Sequence, residues 1–394
     1  MKIIRSMLLV LLCNQSLHAQ HPVVQTILEE IQLDSLVNFV EQLTGGKPVV
    51  INGQSHTIHS RQYQKPGNEI AFQFMKQELH RYGYAIDSFK FSAGGKNLFA
   101  IKTGYEYPDR WLMLGAHYDN LPLTTVAPGA DDNASGCAAV LEAGRVLSGY
   151  EFPYTIVLAL WDEEEPGLLG STAHMHRVGM KGEKLAGYIN LDMIAWDGNN
   201  DSVADLHVKQ IHHSDALKNK VIYCNSVYNL QVTLNIVDPG FYYSDQFPFW
   251  ENGYSAIAIN EHYLQDLNPH YHSASDVMSH FNMPYFLRNT KLGIATLAEL
   301  ALDMEADYGI TEEAYDLVKI YPNPFNGQIT FRAITKNERI QQIVIVDYTG
   351  QQLFEGTYNN KSVVLMDQNY LKNGVYLVTI STSNGTYVRK IIKF

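Results

Sequence analysis

Trp111-Leu112-Met113-Leu114-Gly115-Ala116-His117-Tyr118-Asp119, followed closely by Pro128-Gly129-Ala130-Asp131-Asp132-Asn133-Ala134-Ser135-Gly136, is the stretch around which the chain is organised. The first half is an apolar run that ends in a histidine and an aspartate. The second sets two adjacent carboxylates between a glycine turn and an alanine-rich segment of helical character. An apolar run without alternation, bounded by polar residues, reads as a strand buried on both faces.

Working outward, further strand-like runs fall at 98–102, 155–161, 188–194 and 256–260. Helical spacing recurs at 134–147, 171–178, 214–225 and 284–305. Upstream, Ile27, Ile31, Leu36, Phe39, Val40 and Leu43 predict one amphipathic helix over 23–43, stopped by Gly45-Gly46. Pro66-Gly67-Asn68-Glu69 opens a second, which runs to Gly83. Such alternation predicts an α/β fold: a mostly parallel, mixed sheet with helices on both faces. Ligands of open α/β sheets bind beyond the carboxyl ends of the strands. The polar clusters fall there: His117 ends one run, Glu163-Glu164-Glu165 follow another, and Asp192 ends a third.

The 394 residues, 46% hydrophobic and 18% charged, describe a folded chain with a substantial core. A net charge of −12 argues against a nucleic-acid partner. The charge is uneven. Residues 318–394 hold nine Lys/Arg and four Asp/Glu, a surplus of five positive charges, so the remainder carries −17. Lys2 and Arg5, the apolar run 7–13 and Ala19 predict a signal peptide at 1–19, hence a secreted or cell-surface protein. Leu12, where a small residue is expected, argues against a lipid anchor on Cys13. No later run reaches the ~18 apolar residues a membrane span needs. The main domain is expected at 20–307, an acidic linker at 308–317 and a small all-β sandwich at 318–394. The sandwich is read from short segments at 328–332, 342–346, 363–366, 375–381 and 387–393, with turn signals at Asp347-Tyr348-Thr349-Gly350 and Asn384-Gly385. Cys137 and Cys224 read as buried free thiols, with a disulfide as the alternative in an exported protein.

Zinc takes imidazole nitrogen and carboxylate oxygen, and catalytic pairs sit about 3.5–4 Å apart. The candidates are His117, Asp131, Glu165, Asp192 and His272. Singly, each has an ordinary reading: a core histidine, a solvated turn, a helix cap. Jointly they do not, because Asp192 lies in the largely apolar Ile189-Asn190-Leu191-Asp192-Met193-Ile194. Carboxylates gathered at one sheet edge repel unless a cation neutralises them, and no Lys or Arg interleaves the clusters. His174, His176, His262, His56, His59 and His212-His213 fit no ligand pattern and read as surface or loop residues.

Gly115-Ala116-His117-Tyr118-Asp119, the Pro128 to Gly136 stretch, Glu164-Glu165-Pro166-Gly167-Leu168-Leu169-Gly170-Ser171, Asn190-Leu191-Asp192-Met193 and Asn268-Pro269-His270-Tyr271-His272-Ser273 occur in order. Together they resemble the co-catalytic di-zinc aminopeptidases of the bacterial leucine aminopeptidase type, over about residues 61–305. The resemblance implies two Zn2+ ions bridged by Asp131, with His117 and Asp192 completing one site and Glu165 and His272 the other. The Asn-Pro-x-x-His-Ser spacing of that motif selects His272 over His270. It implies Glu164 as general base and acid, Asp119 orienting His117, and a cis peptide at Asp131-Asp132. The substrate would be a peptide or protein N-terminus with a free amine. Phe241, Tyr242, Tyr243 and Trp250 are candidates to wall the side-chain pocket, with core packing the equal alternative. Phe241 stands where the resemblance implies a tyrosine that holds the intermediate, and Tyr242 or Tyr243 is the candidate substitute. Gln246 stands where a histidine is common.

The tail has its own resemblance. Tyr321-Pro322-Asn323-Pro324-Phe325, Leu371-Lys372-Asn373-Gly374-Val375-Tyr376 and the closing Val388-Arg389-Lys390-Ile391-Ile392-Lys393 resemble type IX secretion sorting domains. This implies the type IX machinery as a partner and export through periplasm and outer membrane. Two other readings stay open: a single-zinc glutaminyl cyclase, against which the second aspartate Asp132 counts, and an inactive surface-binding protein, against which the intact ligand set counts.

Overall fold

The apolar run at 111–117 is the centre of a sheet. The computed structural model describes residues 20–303, apart from 64, 123–125, 182–183 and 212–213, and residues 318–394, apart from 334–338, 348–350, 369–370 and 384–385. The signal peptide at 1–19, the linker at 308–317, His212-His213 and most residues of the two turn signals lie outside the described residues. Contacts divide the chain into two units, Met1–Gly309 and Ile310–Phe394.

The first unit opens with α1 (Pro22–Glu30) and α2 (Leu33–Leu43), a hairpin of β1 (Val49–Ile51) and β2 (Gln54–His56), and α3 (Pro66–Arg81). The eight strands that follow are β3 (Ala85–Lys90), β4 (Lys96–Lys102), β5 (Tyr107–His117), β6 (Tyr154–Trp161), β7 (Lys184–Leu191), β8 (Val203–His207), β9 (Thr233–Val237) and β10 (Ala256–Glu261). They form one sheet in the order β3-β4-β6-β5-β7-β10-β8-β9. The centre, β6-β5-β7-β10, is parallel. β8 and β9 pair in parallel with each other, while antiparallel pairing joins β3 to β4, β4 to β6 and β10 to β8.

The central strands are largely apolar because both faces are covered. Met113, Val157, Trp161 and Tyr188 face a cluster with Met175, Val178, Phe249 and Trp250 from α5 (Leu169–Lys181) and α7 (Gln246–Glu251). On the other face lie α4 (Gly136–Leu147), α6 (Ser214–Val227) and α9 (Met283–Leu302), which cradle Leu112, Leu114, Leu158 and Leu191. The short α8 (Tyr263–Asp266) follows β10. Gly136 lets α4 start hard against the sheet: a Cβ there would come 2.5 Å from the Leu191 carbonyl oxygen and 2.9 Å from Ala116. The edge strands β3 and β9, and β8 beside β9, are short and only partly apolar, so periodicity alone does not reveal them.

The helix predicted over 23–43 is two helices. Ile31 and Gln32 adopt extended backbone, and the partner that makes this favourable is remote. The buried Glu142 of α4 accepts from the Gln32 amide at 2.8 Å and from Ser35 Oγ at 2.7 Å. Val24, Ile27, Leu28, Leu36, Phe39 and Val40 are all buried, so residues 20–43 form part of the folded unit. Among the described residues no helix is long and apolar enough to cross a membrane. Cys137 and Cys224 are both buried, free thiols.

The second unit is two antiparallel sheets around one core. β11 (Val318–Tyr321), β12 (Gln328–Ala333) and β15 (Val363–Asp367) form the first. β13 (Ile340–Val346), β14 (Gln352–Lys361), β16 (Gly374–Thr382) and β17 (Thr386–Lys393) form the second, in the order β14-β13-β16-β17. Phe325, Phe331, Ile343, Ile345, Val378, Ile380 and Ile391 fill the core. The inward-outward alternation of the expected sandwich holds along β12, β15 and β16.

Candidate metal centre

The four parallel strands deliver their carboxyl ends to one place. β5 ends in His117, β6 leads into Asp162 to Glu165, β7 into Asp192, and β10 into the loop that reaches His272. Two groups of potential metal ligands result, with ligand atoms in each lying within 4.8 Å of one another: His117, Asp132 and Asp192, and Asp132, Glu165 and His272. His117 Nε2 lies 3.2 Å from Asp132 Oδ1 and 3.3 Å from Asp192 Oδ1. His272 Nε2 lies 3.2 Å from Asp132 Oδ2 and 2.9 Å from Glu165 Oε2. Asp132 thus presents one oxygen to each group.

This corrects the sequence expectation that Asp131 bridges. Adjacent residues in non-helical backbone point apart, and Asp132 and Asn133 both leave helical geometry here. Asp131 turns away from the imidazoles. Its Oδ1 accepts from the Ala195 amide at 2.9 Å and its Oδ2 from Asn268 Nδ2 at 3.0 Å, and it lies against Glu261. The cis peptide likewise sits one residue later than expected, at Asp132-Asn133.

Asp119 lies against His117. His117 Nδ1 is 3.2 Å from the Asp119 carbonyl and 3.5 Å from Oδ1. The same carboxylate accepts the amides of Glu164 at 3.0 Å and Glu165 at 3.2 Å, so one side chain ties the histidine to the acidic turn. Glu164 is buried beside these groups. Burial raises its pKa well above the usual range, and Asp245, Asp192 and Glu165 add to the effect against an opposing pull from His117.

The protonation pattern reflects carboxylates crowded against two imidazoles. Burial disfavours imidazolium at His117, yet Glu164, Asp192, Asp119 and Asp132 together raise its pKa well above normal. His272 behaves alike, reaching about 10 through Asp132 and Glu165. Burial would raise the Asp132 pKa, but hydrogen bonds with both histidines bring it down. Glu165 is pushed up to about 7, first by burial and then by Asp132, and its Oε1 is buried without a hydrogen-bond partner. Paired acidic and imidazole donors with an orphaned carboxylate oxygen fit divalent cations held by N and O ligands.

Several supporting residues escaped the sequence reading. Ser244 Oγ donates to Asp192 Oδ2 at 2.6 Å, Asn190 donates to Ser244 Oγ at 2.7 Å, and Tyr188 donates to Asn190 at 2.6 Å. Trp161 Nε1 donates in turn to Tyr188 at 2.6 Å, so a buried chain orients one ligand. Tyr271 stacks on His272 with ring centroids 3.6 Å apart. Burial, then the charges of Asp132, Glu165, Asp192 and Glu164, raise its pKa, so its phenol remains a hydrogen-bond donor at neutral pH.

Of the pocket candidates, Trp250 is core: it is buried and donates to the Ala256 carbonyl at 2.8 Å. Tyr242 and Tyr243 are exposed, and Phe241 packs on His207 with centroids 3.9 Å apart. Gln246 is buried and donates to the Phe241 carbonyl at 3.0 Å, fixing that loop. His270 bonds Ser275 and stacks on His280, outside both ligand groups. His174 and His262 are buried rather than superficial, His174 among Phe99, Trp161 and Phe249.

Comparison with known proteins gives the family. Residues 97–297 match Peptidase family M28, and residues 319–394 match the secretion system C-terminal sorting domain. Leucine aminopeptidase 1 of Arthroderma gypseum is 27% identical over 270 residues, covering 62% of this chain and 71% of that protein. Its Trichophyton rubrum counterpart is 29% identical over 238 residues, 56% of this chain and 62% of that one. Two solved structures share the fold at low identity. The LapA aminopeptidase of Legionella pneumophila aligns with a TM-score of 0.61 at 23% identity, over 72% of this chain and 75% of its own. The glutaminyl cyclase of Porphyromonas gingivalis aligns with a TM-score of 0.56 at 19%, over 68% and 99%. The carboxyl-end site, the α/β sheet around it and the family match over half the chain converge: this chain belongs to peptidase family M28 and ends in a sorting domain that marks it for export to the cell surface or beyond.

Proposed function

We propose that the exported chain is an aminopeptidase that holds two zinc ions, with Asp132 shared between them. Asp192 and His117 would complete one site, and Glu165 and His272 the other. The observation that carries this reading is the Asp132 carboxylate, whose two oxygens each face an imidazole at 3.2 Å in a different ligand group. The leucine aminopeptidase names of its relatives support the substrate class. When bound, the zinc pair would lower the pKa of a shared water and polarise the scissile carbonyl.

The chain's own residues supply the rest. Glu164, buried beside both ligand groups, takes the water's proton and returns it to the leaving amine. Asp119 holds the neutral tautomer of His117 with Nδ1–H directed to itself. The Tyr271 phenol donates to the oxygen on which negative charge develops. The excess of carboxylates favours a substrate α-ammonium at the same mouth, which restricts cleavage to free N-termini.

The test uses matched peptides with free and acetylated ends, one of them beginning with glutamine. Release of single residues from free ends only is expected. Glu164→Gln should lower kcat by about 10²- to 10⁴-fold with zinc content unchanged. Ring closure of the glutamine peptide without cleavage, or wild-type hydrolysis by Glu164→Gln, would overturn the reading.

A further inference from the structure

The loop that carries Asp132 is gripped by two buried side chains, one basic and one acidic. Arg61, fully buried, donates from Nη1 to the Pro128 and Leu43 carbonyls at 2.8 Å each, from Nη2 to the Gly129 carbonyl at 2.7 Å, and from Nε to the Tyr118 carbonyl at 2.9 Å. Asp276, also buried, works from the opposite side. Its Oδ1 accepts the Asp131 amide at 3.0 Å, its Oδ2 accepts the Asp132 amide at 3.0 Å, and its backbone carbonyl takes the Ala130 amide at 3.2 Å. The cation therefore holds carbonyls 128 and 129, and the aspartate holds amides 130 to 132. Between them Gly129 sits at φ +52°, where a Cβ would come 2.5 Å from the Asp132 carbonyl oxygen.

The guanidinium touches three segments at once. Tyr118 directly follows His117, residues 128–129 lead into Asp132, and Leu43 ends α2. A lysine could not reproduce this, because one ammonium lacks the planar fork that spreads donors to separate carbonyls. The four hydrogen bonds of the Arg61 guanidinium all go to backbone oxygens.

We propose that Arg61 and Asp276 are positioning residues of the metal centre, fixing Asp132 relative to His117 by clamping the loop between them. The inference rests on the reading of Asp132 as the shared ligand. Loss of either clamp leaves every ligand side chain in place but lets their separation vary, so the first property to suffer is metal affinity.

The experiment measures zinc dissociation constants of the full chain by competition with a chromophoric chelator, for wild type, Arg61→Lys, Asp276→Asn and Asp132→Ala. Arg61→Lys and Asp276→Asn should each bind zinc about 10- to 100-fold more weakly. Their lost turnover should return as zinc is raised to saturation, which a purely structural defect would not allow. Wild-type affinity in either folded variant, while Asp132→Ala loses metal, overturns the clamp. Full zinc binding by Asp132→Ala overturns the underlying site reading instead. Should Arg61→Lys not fold, Asp276→Asn decides; failure of both to fold would assign the pair to stability and overturn the inference.

Discussion

Zinc uptake should expel at least about one proton from this protein at mildly alkaline pH, and the expectation comes from its imidazoles. His272 has its pKa carried up to about 10, because hydrogen bonds with Asp132 and Glu165 outweigh burial. His117 is held well above its ordinary value by Glu164, Asp192, Asp119 and Asp132 against burial. Near pH 8 His272 is imidazolium and His117 is pushed the same way, whereas a metal ligand must be neutral. Glu165, at about 7 through burial and Asp132, is by then mostly ionised and adds little. Each proton lost on binding makes the overall binding constant rise about 10-fold per pH unit, flattening once the imidazole pKa values are passed. The metal-free fold should respond in the opposite sense. The raised His272 pKa contributes stability that is full below its unfolded value of ~6.5 and is lost as pH climbs through about 10. Calorimetric titration in two buffers of unequal ionisation heat gives the proton count directly. Release of fewer than about one proton, or a zinc affinity flat over that pH range, would refute the reasoning.

Other outcomes follow from single contacts. Tyr271→Phe should lower kcat by at least about 10-fold with little change in KM, whereas Tyr242→Phe and Tyr243→Phe should leave kcat intact; steady-state kinetics separate them. Ser244→Ala removes the hydroxyl bonded to Asp192 and should weaken zinc binding about 10-fold, read by chelator competition. A strong reductant should leave the thermal midpoint of the peptidase unit unchanged, because Cys137 and Cys224 are not paired.

The site was legible where residue type and strand end coincide. His117, Asp192 and the Glu164-Glu165 turn stand at the carboxyl ends of apolar runs, and topology alone brings such ends together. The choice between Asp131 and Asp132 was not legible, because two like side chains in sequence are told apart only by the local backbone that aims them. Arg61 and Asp276 were invisible for another reason: their partners are peptide groups, which every residue has. Trp250 and His174 looked functional or superficial by type, and only packing assigns them to the core. The break between α1 and α2 depends on Glu142, more than a hundred residues away, and no window of local periodicity contains it.

The proposed ligands around Asp132 follow separate strands, the first at His117 and the last at His272. No shorter stretch of the chain holds a complete set. Hydrolytic capacity therefore arises late, when contacts distant in sequence have closed, and a nascent or unfolded chain is chemically mute. For a peptidase bound for export, latency of this kind needs no inhibitory segment: the unfolded chain cannot attack the peptides of the cell that makes it, and folding itself is the activation step.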